Sequence, residues 1–270
     1  MKYKMIIADY DGTTAVGNVI PTEVVNAIKL FREKGGKFVF CTGRAESSII
    51  NVMKDNGVTV DAVISYQGSK VLVGDLVALN GGIDKQTAIS LIKDLRTFNK
   101  GVVAFCNDEI FYEGSDGVER YVDFYRPYVK DKKYDDLLEF VNGYDGYFQK
   151  LVITKTPEED LSYVEDFVTK KYGGEVLANS GGVRLMELVS SKYSKYEASS
   201  FVAKAFNLDE SEVVTVGDST NDLTLLKYGF GIAVGNAEPR LKEVAKFIAP
   251  SVNDFPLKFI VDKALSGKDF

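Results

Sequence analysis

The sequence predicts an α/β protein: a parallel-sheet core built from both ends of the chain, with an α+β segment inserted between them. Three observations lead there. Strand-like and helix-like stretches alternate from residue 5 to about residue 80, the order that gives a parallel sheet with right-handed crossovers. From Gly82 the rhythm changes to short aromatic strands joined by glycine turns, as in an antiparallel sheet with helices on one face. After Ser194 the first rhythm resumes.

Each element has its local reason. Met5-Ile6-Ile7-Ala8 is a short apolar run that reads as a buried strand, ended by a turn at Gly12. Pro21-Thr22-Glu23 opens a helix with Val24, Ile28 and Phe31 on its inner face, and Gly35-Gly36 stops it. The next strand covers 37–41, and Thr42-Gly43-Arg44 turns into a helix over 45–56, closed by Gly57. A third strand covers 62–65, turned by Gln67-Gly68. In the insert, a helix over 84–98 precedes strands at 102–107 and 110–113 and tyrosine-rich helical turns as far as Asn142. A strand at 148–154, a helix over 157–172 and strands at 175–179 and 183–188, joined by Ser180-Gly181-Gly182, complete it. The returning segment reads as a helix to Phe206, a strand at 213–216, a helix over 221–228 and a strand at 230–234. Helices over 239–246 and 254–265 end it. The expected domains are a core of residues 1–81 and 189–270 and an insert of residues 82–188.

Composition removes several classes of function. The 270 residues are 45% hydrophobic, ample for a packed core. A net charge of −6 without a dense Lys/Arg block speaks against nucleic acid or an anionic membrane as a partner. No long uncharged apolar stretch could span a bilayer, and the first residues run straight into a strand rather than a signal peptide. Cys41 and Cys106 stand far apart, which fits a reduced, cytoplasmic protein better than a disulfide scaffold. The chain has no histidine, so Ser-His-Asp and Cys-His catalysis are excluded and a zinc site is not expected. Chemistry here must run on carboxylates, Lys, Tyr, hydroxyls or a hard metal bound through oxygen.

Four loops, each following a predicted strand or opening a helix of the core, carry such groups. In Asp9-Tyr10-Asp11-Gly12-Thr13 the two carboxylates share a side while Tyr10 points away. One could attack while the other handles a proton, though a polar turn ending a strand has the same look. Thr42-Gly43 offers a hydroxyl and backbone N–H groups suited to an anion, or a routine helix cap, with Arg44 beside it. Gly217-Asp218-Ser219-Thr220-Asn221-Asp222 supplies more hard oxygen ligands than capping requires. Lys195 starts a helix, where an ammonium opposes the macrodipole and needs a reason or is incidental.

Together and in this order the loops resemble the four motifs of the haloacid dehalogenase (HAD) superfamily. More narrowly, the chain looks like its Cof-type phosphatases, subfamily IIB, whose large α/β cap is inserted between the second and third motifs. Asp9 to Thr13 match the first motif, Thr42-Gly43-Arg44 the second, Lys195 the third and Gly217 to Asp222 the fourth. The stretch Gly231 to Ala237 looks like the strand and loop that follow in the family. Thr14, Gln67 and Tyr196 depart from its usual Leu, Asn and Gly.

The resemblance implies a HAD-like Rossmannoid core and a Mg²⁺-dependent phosphatase acting on a small-molecule phosphate ester. Asp9 would be the nucleophile and Asp11 the acid and then the base. Mg²⁺ would be held by Asp9, the Asp11 backbone carbonyl and Asp218. Phosphate oxygens would be bound by Thr42, Gly43, Lys195 and Asn221, with Asp222 and Arg44 in support. A phosphomutase, a receiver-like signalling module and a phosphometabolite-binding regulator without turnover remain alternatives at this level.

Overall fold

The computed structural model describes residues 1–114, 116–180, 184–267 and 270. The first segment contains β1 (Met5–Ala8), α1 (Thr22–Glu33), β2 (Lys37–Cys41), α2 (Glu46–Asp55), β3 (Ala62–Ser65), β4 (Lys70–Val73) and β5 (Leu76–Asn80). The insert adds α3 (Lys85–Thr97), β6 (Val102–Cys106), β7 (Glu109–Tyr112), α4 (Asp116–Tyr125), β8 (Lys130–Lys133) and α5 (Leu137–Gly143). It ends with β9 (Lys150–Thr154), α6 (Ser162–Tyr172), β10 (Val176–Ser180) and β11 (Leu185–Ser190). The chain returns through α7 (Lys195–Ala205), β12 (Val213–Gly217), α8 (Leu223–Leu226), β13 (Phe230–Ala233), α9 (Pro239–Val244), β14 (Phe247–Ile248) and α10 (Pro256–Ser266).

Two compact units result, one of Met1–Arg44, Ile49–Leu79 and Ser194–Phe270, the other of Ala45–Ser48 and Asn80–Tyr193. The first unit holds an eight-stranded sheet in the order β14-β13-β12-β1-β2-β3-β4-β5. Its strands are parallel from β14 to β3, and β4 runs antiparallel to β3. β1 lies between β12 and β2, with Ala8 opposite both Val216 and Phe40. The loops after these three strands therefore open side by side at the carboxyl edge of the sheet, the place where open α/β sheets bind ligands. The fully buried run Met5–Ala8 and the inner face of α1 (Val24, Ala27, Ile28, Phe31) join one hydrophobic core. Each of the Met, Ile, Val and Phe side chains among them contributes about 1.5–3 kcal/mol on burial.

The second unit holds a six-stranded sheet, order β10-β11-β9-β6-β7-β8, antiparallel except for the parallel pair β7 and β8. Alternate residues of its central strands (Val102, Ala104, Leu151, Ile153, Leu188) pack with Leu91, Leu95, Val164 and Val168 of α3 and α6 in a core of its own.

Several elements differ from the sequence expectation. β4, β5, β8 and β14 are additional strands; β8 is Lys-Asp-Lys-Lys, a charged and mostly exposed edge with no apolar signature. The helix expected over 157–172 starts at Ser162, whose N–H and hydroxyl donate to the Asp160 carboxylate. The helix expected over 221–228 is a 3₁₀ turn, Thr220–Asp222, followed by the short α8. Of the turn expected at Ser180-Gly181-Gly182, Gly181 and Gly182 lie outside the described residues, as does Val183. No helix among the described residues is long and apolar enough to cross a membrane.

Candidate active site

Asp9 follows β1 directly, and its N–H donates to Val216 O (2.9 Å), which ties it to the end of β12. The turn after it is closed by Thr14, whose N–H donates to Tyr10 O (2.9 Å) and whose hydroxyl donates to Asp9 O (2.6 Å). The departure at Thr14 thus has a role in the turn itself. Tyr10 points into the core, edge-on to Phe40. Gly12 stands at φ +76°, and a Cβ there would lie 2.4 Å from Asp218 Oδ2. Only glycine serves both that backbone and that approach.

Lys195 is the centre of the cluster. Its ammonium donates to Asp9 Oδ1 (2.7 Å), Asp222 Oδ1 (2.7 Å) and Cys41 O (3.2 Å), which uses all three N–H bonds. Ser194 caps α7 by accepting from Glu197 N, so the helix start is satisfied without Lys195, whose side chain turns inward. The adverse macrodipole position is therefore offset by two carboxylates. Asp222, fully buried, spends its second oxygen on the N–H groups of Asp218 (3.0 Å) and Ser219 (3.2 Å). It orients the loop and Lys195 together.

Asp218 accepts from the Thr13 hydroxyl at 2.9 Å, and its backbone O accepts from Glu238 N. Asp9, Asp218 and Asp222 each bring an oxygen within 4.8 Å of the others. Three carboxylates against one ammonium leave two negative charges in a buried setting, a donor set fit for a hard dication. The electrostatics register the crowding. Burial, then the Asp222 charge, push Asp9 well above the usual carboxylate range, Lys195 opposing. Burial and Asp222 likewise push Asp218 up to about 6. Burial opposes the charge on Lys195, but Asp222 and Asp9 outweigh it and hold the ammonium well above its ordinary value.

The sign of the Asp218 shift yields a test. A carboxyl whose folded pKa is raised binds its proton more tightly in the folded state, so stability falls as pH rises from about 4 through about 6. Metal-free protein should gain stability between pH 7 and pH 5. Asp218→Asn should flatten that profile and raise metal-free stability at pH 7 by about 2 kcal/mol. Urea unfolding at both pH values measures it; an unchanged or steeper profile in Asp218→Asn would refute the assignment.

The second motif loop lies beside this cluster. Thr42 is buried and precedes α2 by a full turn, so it is not that helix's cap. Its Oγ1 accepts from Arg44 N at 3.1 Å and keeps its own proton for an anion. Tyr66 and Gln67, both at positive φ, donate their N–H groups to Arg44 O and Thr42 O. A strained turn thus braces the loop, and the departure at Gln67 is part of that brace. Gly43 is half-buried between Thr42 and Arg44. Asn221 is half-buried in the 3₁₀ turn, its side-chain amide making no hydrogen bond with the described residues. Tyr196 packs edge-on against Tyr228 on the hydrophobic core.

Asp11 alone among the motif carboxylates faces outward, where its two oxygens accept from Arg44. Sequence reasoning passed over Thr13 as a partner of Asp218. It also passed over Asn236, which donates to Gly12 O (2.8 Å) and accepts from Val252 N (2.7 Å). Its signal was present: Asn236 closely follows β13, the next strand on the same sheet edge.

The chain as a whole is similar to known proteins. The family described as haloacid dehalogenase-like hydrolase matches residues 6–256 of the chain. YxeH of Bacillus subtilis is 26% identical over 283 residues, which span 98% of this chain and 100% of that protein. The B. subtilis 5-amino-6-(5-phospho-D-ribitylamino)uracil phosphatase YwtE is 23% identical over 292 residues, 98% of this chain and 99% of its own. Among solved structures, the HAD subclass IIB sugar phosphatase BT4131 superposes with a TM-score of 0.81. At 17% identity it covers 96% of this chain and 98% of its own, a likeness of fold.

Proposed function

The chain belongs to the haloacid dehalogenase-like hydrolases and is a phosphatase, and on that premise we propose that it hydrolyses small phosphate monoesters, such as sugar phosphates, through a phosphoryl group carried on Asp9. The observation that carries the reading is the Lys195 ammonium, 2.7 Å from both Asp9 and Asp222 and next to Asp218 at the sheet's carboxyl edge. Phosphoryl transfer asks chiefly for positioning and charge neutralisation, and this edge supplies both without histidine.

Asp9 attacks phosphorus, the bond to the leaving oxygen breaks, and Asp11 gives that oxygen a proton. Asp11 then takes a proton from the water that cleaves the aspartyl-phosphate. Lys195 offsets the charge shared by Asp9 and the phosphate, and the Thr42 hydroxyl, whose oxygen accepts from Arg44 N, would donate its proton to a non-reacting oxygen. Gly43 and Asn221 add donors to the same group. Mg²⁺ fits the charge left on the cluster; the Asp9 and Asp218 carboxylates and the Asp11 backbone carbonyl would hold it. When bound, it neutralises phosphate charge and removes the repulsion between those carboxylates. YwtE and BT4131 are named for phosphorylated ribityl and sugar substrates, which supports the same substrate class here. Residues 82–188, as a cap, would select the leaving group, and the core of 1–81 and 189–270 would carry the chemistry.

The decisive experiment is a panel of phosphate esters incubated with the purified protein, with free phosphate measured. Turnover should require Mg²⁺, vanish in EDTA and return on adding Mg²⁺, while Ca²⁺, with its larger and looser shell, should support little. Full activity without metal, or none on any ester with Mg²⁺, would refute the reading.

A further inference from the structure

The acid–base role falls to Asp11, yet its side chain is 53% exposed on a turn, where an unsupported carboxyl samples several rotamers. Arg44 provides support. Its Nε donates to Asp11 Oδ2 at 2.8 Å and its Nη2 to Asp11 Oδ1 at 2.6 Å, a two-bond fork. The guanidinium is itself restrained. Its Nη1 donates to Asn18 Oδ1 at 2.8 Å, and its plane carbon lies 4.6 Å from the centre of the buried Tyr10 ring. The Arg44 backbone is fixed at both ends, its N–H to Thr42 Oγ1 and its carbonyl to Tyr66 N. Arg44 is only 8% exposed, so it is a built part of the loop rather than a solvated surface charge.

We propose that Arg44 is a positioning residue that sets the orientation of Asp11 for proton transfer, and that it binds neither the phosphate nor the leaving group. The inference rests on the phosphatase reading and refines it. In the first step an Asp9 oxygen bonds to phosphorus, the P–O bond to the leaving group breaks, and the Asp11 proton goes to the leaving oxygen. In the second, water bonds to phosphorus and gives a proton to Asp11, and the P–O bond to Asp9 breaks, which restores the carboxylate and frees inorganic phosphate. Both Asp11 oxygens face Arg44 in this structure, so at least one bond of the fork opens when the proton is delivered. The other bond keeps the carboxyl within reach of one direction. A lysine, with a point charge on a flexible stem, reproduces the charge but not the fork.

The consequence is a dependence on the leaving group. An alkoxide needs the proton in order to leave, whereas nitrophenolate departs without it. A residue that binds phosphate would serve both esters alike. The test compares wild type, Arg44→Met and Arg44→Lys in single-turnover release from p-nitrophenyl phosphate and from the alkyl phosphate that wild type cleaves fastest in the panel. Arg44→Met should slow the alkyl ester about 10- to 100-fold and the aryl ester less than about threefold, with KM for the alkyl ester little changed. Arg44→Lys should fall between wild type and Arg44→Met on the alkyl ester. The ratio of the two esters within one sample cancels any loss of folded protein. Equal slowing of both esters, an unchanged alkyl rate, or a raised KM with unchanged kcat would overturn the inference. A wild type that cleaves neither ester would instead refute the phosphatase reading, and the two failures are thereby distinguished.

Discussion

Asp9→Asn should lower phosphate release by about four decades or more while the fold persists, because an amide fills the carboxylate's volume but cannot attack phosphorus. The environment makes it a clean substitution. The Asn carbonyl oxygen can still accept from Lys195, which donates to Asp9 Oδ1 at 2.7 Å in the native chain. The change also removes a buried carboxyl whose ionised form is disfavoured by burial and by the Asp222 charge. The metal-free variant should therefore unfold at the same urea concentration as wild type, or a higher one. Rapid-quench measurement of phosphate release and a urea titration check both halves. Wild-type turnover in Asp9→Asn would remove Asp9 from the role of nucleophile, and a collapsed fold would mean that its charge is needed for structure.

Lys195→Met should be costly twice over. Lys195 is 2% exposed, and its ammonium is bonded to Asp9, Asp222 and the Cys41 carbonyl. Its removal leaves two buried carboxylates facing each other without a cation, and loss of one partner from such a set costs about 3–5 kcal/mol. The loss should shrink on acidification. Without Lys195 the Asp9 pKa, already raised by burial and by Asp222, rises further, so protonation relieves the repulsion as pH falls. Turnover should drop by about two to three decades even where the protein is folded, because charge on the transferring phosphoryl group loses its offset. Urea unfolding at pH 5 and pH 7, beside kcat with saturating Mg²⁺, measures the two effects. A Lys195→Met protein as stable as wild type at pH 7 would refute the electrostatic account.

The sequence displayed those parts of the fold whose cause is local. The runs at β1, β2 and β12 are apolar and short, and each is followed by a turn residue, so strand and loop could be read together. The motif loops were legible for the same reason, since Asp9, Thr42 and Asp218 each come directly after such a run. Elements with weak local signals were not. β8 is charged and exposed, β14 has two residues, and both owe their place to the backbone of a neighbouring strand. The 3₁₀ turn at Thr220–Asp222 replaces an expected helix start because Asp222 folds back onto the N–H groups of Asp218 and Ser219.

The partnerships are another matter. Lys195 with Asp222, Arg44 with Asp11, Thr13 with Asp218 and Asn236 with Gly12 join residues 27, 33, 205 and 224 positions apart. Nothing in the spacing of those residues selects the pairs. Three loops meet because β1 lies between β12 and β2, an order decided when both ends of the chain close one sheet over a shared core. By itself, then, the sequence determined the periodicities, turns and chemical groups, which depend on neighbours along the chain. Only the tertiary structure decided which group faces which, since hydrogen bonds and charge pairing act through space and strand order sets those distances.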